Sequence, residues 1–143
     1  MPALTRRFFL MALPAAGLSA CAAPGTYGPT LATPEDEQAL TRAMLHGTGN
    51  LPGLAELPGV EIVGGVDNPA REGLVSFWRE GVPSEEIVAA LNAQGIRTHT
   101  RKADHYSGNI LDPLGQPSCI RVSMCHYNSL AEVAAFLAAM KDM

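Results

Sequence analysis

The sequence predicts an α+β fold, a small α/β sandwich whose mostly antiparallel sheet of about four strands carries helices on one face. Three observations support this prediction. Helix-like and strand-like segments follow one another in the order α-β-β-α-β-β-α. A strand with period-2 alternation runs directly into a capped amphipathic helix near the C-terminus. Roughly 110 residues remain after the N-terminal segment, which is near the usual size of one domain.

The first helix is predicted to begin at Pro34, because a threonine precedes it as a cap and proline suits the first helical turn. Its apolar side carries Leu40 and Met44, and it is expected to end near Gly47. A stretch rich in proline and glycine follows, with one short turn predicted around 54–57.

Two apolar strands are predicted at 60–63 and 74–78, separated by turn-forming residues at 67–70. The second helix is predicted to begin at Ser84 and to end at Gly95, a typical C-terminal cap. Its expected buried face is formed by Ile87, Val88 and Leu91.

A third strand is predicted at 96–100. The segment 101–117 that follows it is polar and contains several glycines and prolines. We therefore predict a loop there, with a helical turn near 109–111.

The last strand and helix, at 119–137, form the clearest pattern in the chain. The apolar residues Ile120, Val122 and Met124 occur at every second position, which is the spacing of a strand, so they are predicted to face the core. Ser129 followed by Glu132 is a capping box, which places the start of the helix. Apolar residues then recur with helical spacing at Val133, Phe136, Leu137 and Met140.

Arg121 lies in the middle of this mostly apolar strand. An arginine in such a strand is costly unless it meets an anion. The residues alone leave two roles open, a structural arginine paired with a carboxylate of this chain or an arginine that binds the carboxylate of a ligand.

Composition places few limits on function. The apolar fraction of 47% is ordinary for a globular protein. The net charge of -4, with no long run of charged residues, gives no sign of nucleic-acid binding.

Residues 1–23 are predicted to be an export signal, because a twin-arginine-like motif at 5–10 precedes a short apolar run and a lipobox-like stretch ending at Cys21. Cys21 would then be lipidated, 24–33 would be a flexible tether, and 34–143 would be the folded domain. Such a protein would be exported, either periplasmic or held at the membrane by its lipid anchor. If 1–23 is instead an ordinary disordered N-terminus, the protein would be cytoplasmic.

Cys119 and Cys125 are the cysteines of the folded part. In an extended strand they would lie about 20 Å apart, well beyond the roughly 7 Å Cα separation that a disulfide allows. We therefore predict two small, mostly buried thiols without an intrachain disulfide.

Several of these segments together resemble the C-terminal small domain of class V aminotransferases, a group that includes cysteine desulfurases and isopenicillin N epimerase-like proteins. The resemblance covers about 35–143 and implies the small domain of a fold type I pyridoxal-phosphate enzyme. The residues that carry it are 73–77 (GLVSF), 81–91 (GVPSEEIVAAL), Gly95-Ile96, 120–123 (IRVS) and Tyr127-Asn128.

In that family the arginine of the Arg-x-Ser strand binds the α-carboxylate of the substrate. The resemblance therefore implies that Arg121 is the substrate-binding residue and that an amino-acid-like carboxylate is the partner. Asn128 is expected to organise the turn between strand and helix rather than to touch a ligand, because asparagine forms local backbone hydrogen bonds.

The sequence also departs from the family pattern. Desulfurases carry a catalytic cysteine in the loop after the Gly-Ile strand, at a position matching the neighbourhood of Asp104, and no cysteine occurs between Ile96 and Leu114. Because persulfide chemistry needs a thiolate, the sequence favours the non-desulfurase branch.

The family binds pyridoxal phosphate mainly through a large domain that supplies the Schiff-base lysine. The lysines of this sequence, Lys102 and Lys141, do not fall where the family places that lysine. We therefore expect no covalent cofactor on this chain and no catalysis by it alone, so whether it works as an enzyme stays open. The expectation is a truncated form or a fragment whose partner is a missing large domain or a second chain. The alternative is a lipid-anchored periplasmic binding or interaction module without catalysis.

Four polar residues remain as weaker candidates for a site. His99, Asp104 and His105 are predicted to line the pocket around the substrate. Together with His126 they also suggest a metal centre, but their spacing fits no ligand motif, and no metal site is predicted.

Overall fold

The structure is a computed structural model that describes residues 34–125 and 127–143. The predicted export signal at 1–23, the lipidation site Cys21, the tether at 24–33 and His126 lie outside these residues. Within the described ranges, no helix is long and apolar enough to cross a membrane.

The predicted order of helices and strands is confirmed, and the helical turn predicted near 109–111 is a short helix, α3. Short 3-10 turns occur at Leu54–Glu56 and Asp112–Leu114. The helices and strands are α1 Pro34–His46, β1 Val60–Ile62, β2 Leu74–Arg79, α2 Ser84–Ala93, β3 His99–Lys102, α3 Gly108–Leu111, β4 Ser118–Ser123 and α4 Leu130–Lys141.

The four strands form one antiparallel sheet in the order β1-β2-β4-β3, so the predicted α+β fold is confirmed. In the centre of the sheet Ser76 lies opposite Arg121 and Phe77 lies opposite Ile120. At the β3 edge His99 lies opposite Arg121. These pairings decide which side chains share a face of the sheet, because successive residues of a strand point to opposite faces.

The hydrophobic core lies between one face of the sheet and helices α1, α2 and α4. Phe77 and Phe136 meet there edge to face, with ring centroids 6.3 Å apart. The predicted burial is confirmed for Ile120 and Val122 of β4 and for Met124 just after it. The other large, fully buried side chains of this core are Met44, Leu54, Val75, Leu91, Leu137 and Met140.

The third strand begins at His99, three residues later than the prediction of 96–100. The physical reason is the end of α2. Gly95 adopts a left-handed backbone with φ 80°, and the N–H groups of Gly95 and Ile96 bond to the carbonyls of Asn92 and Leu91. This is a Schellman cap, and it uses Ile96 to close the helix and pack on the core.

The last strand ends at Ser123, before the predicted end at Cys125. Met124 donates its N–H to the carbonyl of Gly73, which lies just outside β2. A Cβ atom at Gly73 would collide with the Met124 carbonyl oxygen, so glycine allows this close approach. The chain then leaves the sheet and turns toward α4.

Candidate functional site

Arg121 projects from the face of the sheet that α1, α2 and α4 do not cover. Its neighbours in β4, Ile120 and Val122, point into the core, so Arg121 points the other way. Ser76 of β2 is its cross-strand partner on one side and His99 of β3 on the other. Arg121 therefore lies in the middle of this second face, which we call the open face.

A cavity of about 520 Å³ lies on the open face around Arg121. The sheet forms its floor, and the segment 106–111, which includes α3, forms a wall. The residues that line it are Val63, Leu74, Ser76, Arg101, Tyr106, Ser107, Ile110, Leu111, Cys119 and Arg121.

The guanidinium group of Arg121 has no partner within the described residues. Its Nε atom is buried and makes no hydrogen bond. The ion pair that the described residues do form joins Lys102 to Glu85 and does not involve Arg121. Of the two roles left open by the sequence, pairing with a carboxylate of this chain is therefore not seen in the described part of the molecule.

Cys119 lies next to Arg121 on the same face and lines the cavity, although it is only 4% exposed. Burial raises the pKa of its thiol, while the nearby charges of Arg101 and Arg121 and a hydrogen bond with Ser76 act in the opposite direction. The thiol is therefore mainly protonated at neutral pH and poorly suited to act as a nucleophile.

The three predicted pocket-lining residues lie near the cavity but are not among the residues that line it. His99 is exposed at the sheet edge opposite Arg121. The Asp104 carboxylate accepts hydrogen bonds from the N–H groups of Tyr106 and Ser107 at 2.9 and 3.1 Å, and these bonds lower the pKa of Asp104. The ring of His105 lies against that of Tyr106, with centroids 3.8 Å apart. Their role in a pocket stays a prediction.

The lysines do not fit a cofactor held beside Arg121. Lys102 is 72% exposed and lies 3.9 Å from Glu85 of α2, so it points toward the helical side of the sheet. Lys141 is exposed at the end of α4. In residues 34–125 and 127–143 there is also no group of three or more His, Cys, Asp or Glu side chains placed to hold a metal ion.

The turn after β4 is organised as predicted. The Asn128 side chain accepts a hydrogen bond from the Cys125 N–H at 2.8 Å, and the Asn128 N–H returns one to the Cys125 carbonyl at 2.9 Å. The capping box is also confirmed, because Ser129 and Glu132 each bond to the backbone N–H of the other. These contacts fix how β4 passes into α4.

Sequence reasoning missed Leu74, Ser76 and Cys119 as members of the site. Cys119 could have been predicted, because it is two residues before Arg121 and a strand places both on the same face. Leu74 and Ser76 could not have been predicted from local sequence, because their position depends on the register between β2 and β4.

Comparisons with known proteins agree on one family. The profile of the aminotransferase class-V family matches residues 36–136. A cysteine desulfurase of Synechococcus elongatus is 32% identical over 98 residues, which cover 68% of this chain and 14% of that protein. The chain thus spans about a seventh of the length of this curated relative.

Solved structures show the same relationship. The apo cysteine desulfurase of Thermococcus onnurineus is 29% identical with a TM-score of 0.53, over 58% of this chain and 20% of its own. The cysteine desulfurase CsdA of Escherichia coli is 21% identical with a TM-score of 0.56, over 75% of this chain and 25% of its own, and it shows the same fold. With 36–136 matched by the family profile, this chain belongs to the class V aminotransferase family.

Proposed function

We propose that this chain is the substrate-carboxylate-binding domain of a class V aminotransferase-like, pyridoxal-phosphate-dependent protein, and that Arg121 binds the α-carboxylate of an amino-acid substrate. The observation that supports it best is the buried, unpartnered Nε of Arg121 in a cavity of substrate size. A planar guanidinium offers a carboxylate two parallel charge-assisted hydrogen bonds, and a strand holds it rigidly.

In this proposal the chain does not hold the cofactor covalently. Lys102 lies on the helical side of the sheet and Lys141 at the end of α4, so neither is placed to form a Schiff base beside Arg121. The cofactor would supply the electron sink for the substrate, and a large domain or a second chain would supply its lysine. The role of this chain is then to orient the substrate through its carboxylate.

We further propose that the chain belongs to the non-desulfurase branch, although relatives with the printed name cysteine desulfurase match it. The segment 101–117 contains no cysteine. Cys119, which does line the cavity, is buried with a raised pKa. Persulfide formation requires a reactive thiolate, which this arrangement does not provide.

Export and lipidation at Cys21 stay part of the proposal, because that segment lies outside the described residues. A large-domain partner is also part of the proposal. The alternative, a lipid-anchored interaction module without catalysis, has no supporting observation in the described residues.

The proposed function is tested by a chemical-shift titration of the full chain with L-alanine and with L-alaninamide, which lacks the carboxylate. We expect saturable shifts at Arg121 and Ser76 with L-alanine and about tenfold weaker binding of the amide, as for a charge-assisted pair. Arg121→Gln should abolish this preference. Arg97→Gln, at an exposed arginine outside the cavity, is the matched control and should retain it. Equal binding of the two ligands, or no binding of either, would contradict the assignment.

A further inference from the structure

Two arginines from neighbouring strands share the cavity on the open face. Arg101 of β3 lies opposite Cys119 of β4, and Arg121 follows Cys119 by two residues on the same strand. Arg101 and Arg121 are thus diagonal neighbours on one face, with Cα atoms about 7–8 Å apart as is typical of that relationship. Both line the same cavity.

No carboxylate balances these two charges. None of the residues that line the cavity is acidic. Within the described residues, neither guanidinium takes part in an ion pair, and the Lys102–Glu85 pair lies on the other side of the sheet. The Cys119 thiol, which lies between the two arginines, is subject to the positive charge of both.

Apart from Ser76 and Ser107, the rest of the lining is mostly apolar or aromatic. Leu74 and Ile110 are 40% and 56% exposed, and Tyr106 is 79% exposed, although all three border the cavity. Such a surface suits the methylene groups of a ligand that extends between two charged ends.

We propose that this cavity takes an amino-acid substrate with a second anionic group on its side chain, and that Arg101 binds that group while Arg121 binds the α-carboxylate. The inference rests on the proposed function, since it assigns Arg121 the same role. It adds a specificity residue, Arg101, and a substrate class, the acidic amino acids.

The two arginines differ in what they contribute. Arg121 is partly buried, so water screens its charge less than that of exposed Arg101, and its loss should weaken the binding of every carboxylate ligand. Arg101 is exposed, so its contribution to affinity is smaller and depends more strongly on salt. We therefore expect the contact between Arg101 and the side-chain anion to affect the choice between acidic and neutral amino acids more than the overall affinity.

The experiment compares L-glutamate with its neutral isostere L-glutamine, and L-aspartate with L-asparagine, by chemical-shift titration of the full chain. The titrations are run near pH 8, where imidazole groups are in general neutral. The variants are Arg101→Gln and Arg121→Gln, with Arg97→Gln as the control outside the cavity.

For the unmodified protein we expect each acidic amino acid to bind about two- to fivefold more tightly than its amide, as for an exposed ion pair. Arg101→Gln should remove this difference while glutamine still binds, and Arg97→Gln should keep it. Arg121→Gln should weaken all four ligands.

The titrations distinguish failure of this inference from failure of the proposed function. If glutamate and glutamine bind alike and both depend on Arg121, the acidic-substrate inference is wrong and the proposed function stands. If the preference for glutamate survives Arg101→Gln, Arg101 is not the second anion site and the inference is likewise overturned. If no ligand responds to Arg121→Gln, or none binds, both proposals fail.

Discussion

Ser76 of β2 and Arg121 of β4 are cross-strand partners at the centre of the sheet, and both face the cavity on the open face. The pairing places a guanidinium where its Nε atom is buried without an acceptor. A buried donor without a partner costs folding free energy, which an anionic ligand would recover on binding. If Arg121 binds an anion as proposed, position 121 is a place where stability and ligand binding conflict.

Replacing Arg121 with an apolar residue should therefore stabilise the domain. We expect Arg121→Met to raise the free energy of unfolding by about 1 kcal/mol, because methionine fills similar space without an unpaired donor. Urea denaturation measures the change. Arg101→Met, at an exposed site on the same face, should alter it by less than about 0.5 kcal/mol. A loss of stability in Arg121→Met would show that Arg121 has a structural partner.

The turn at Asp104 should respond to acid. Backbone hydrogen bonds from Ser107 and Tyr106 lower the pKa of Asp104 below its ordinary value of 3.8. A lowered folded-state pKa means that the carboxylate stabilises the turn above the ordinary value, and that this contribution is lost as pH falls through the lowered pKa.

The carbon chemical shift of the Asp104 carboxyl group, followed against pH, should have its midpoint below 3.8. The N–H shifts of Tyr106 and Ser107 should move with it. Asp104→Asn keeps the acceptor oxygen without the titration, so these N–H shifts should stay constant over the same range. A midpoint at or above the ordinary value would contradict the role of these hydrogen bonds.

The thiols of Cys119 in β4 and Cys125 in the following turn should differ in reactivity. Cys119 is buried with a raised pKa, whereas Cys125 is partly exposed at the turn. In a Cys21→Ser background, we expect a thiol reagent to modify Cys125 about tenfold or more faster than Cys119, because access and thiolate fraction control the rate. Cys125→Ser should remove the fast phase and Cys119→Ser the slow one. A fast phase that depends on Cys119 would reopen the question of persulfide chemistry.

Pyridoxal phosphate added to the purified chain should give no site-specific Schiff base. The exposed positions of Lys102 and Lys141 provide no pocket for the cofactor. We expect the absorbance in the Schiff-base region to match that of a mixture with free lysine, and to be equal for Lys102→Arg and Lys141→Arg. A saturable band lost in one of these variants would overturn the assignment of the cofactor lysine to another domain.

Local patterns in the sequence predicted local structure well. The burial of Ile120, Val122 and Met124 follows from strand alternation, and the start of α4 follows from Ser129 and Glu132. Such features depend on residues close in the chain, so no knowledge of the fold is needed.

The candidate site was less accessible to this reasoning. Arg121 was identified by its unusual position in an apolar strand and by the family resemblance. Its neighbours Leu74 and Ser76 belong to β2, which is distant in sequence. Their alignment is set by how the whole sheet packs on its helices, and a shift of one residue would turn them to the other face. The predicted start of β3 at Ile96 was wrong, because Ile96 takes part in the C-terminal cap of α2. The spacing of apolar residues along the chain does not reveal this role.

The pairing of β2 with β4 also has a consequence for how the chain folds. These two central strands are separated in sequence by α2, β3 and α3, so their association closes a long loop. Such non-local pairing is slow compared with helix formation and with the short connection between β3 and β4. We therefore expect the floor of the cavity to form after the helices, so that a chain stopped before this step would contain its helices but not the cavity.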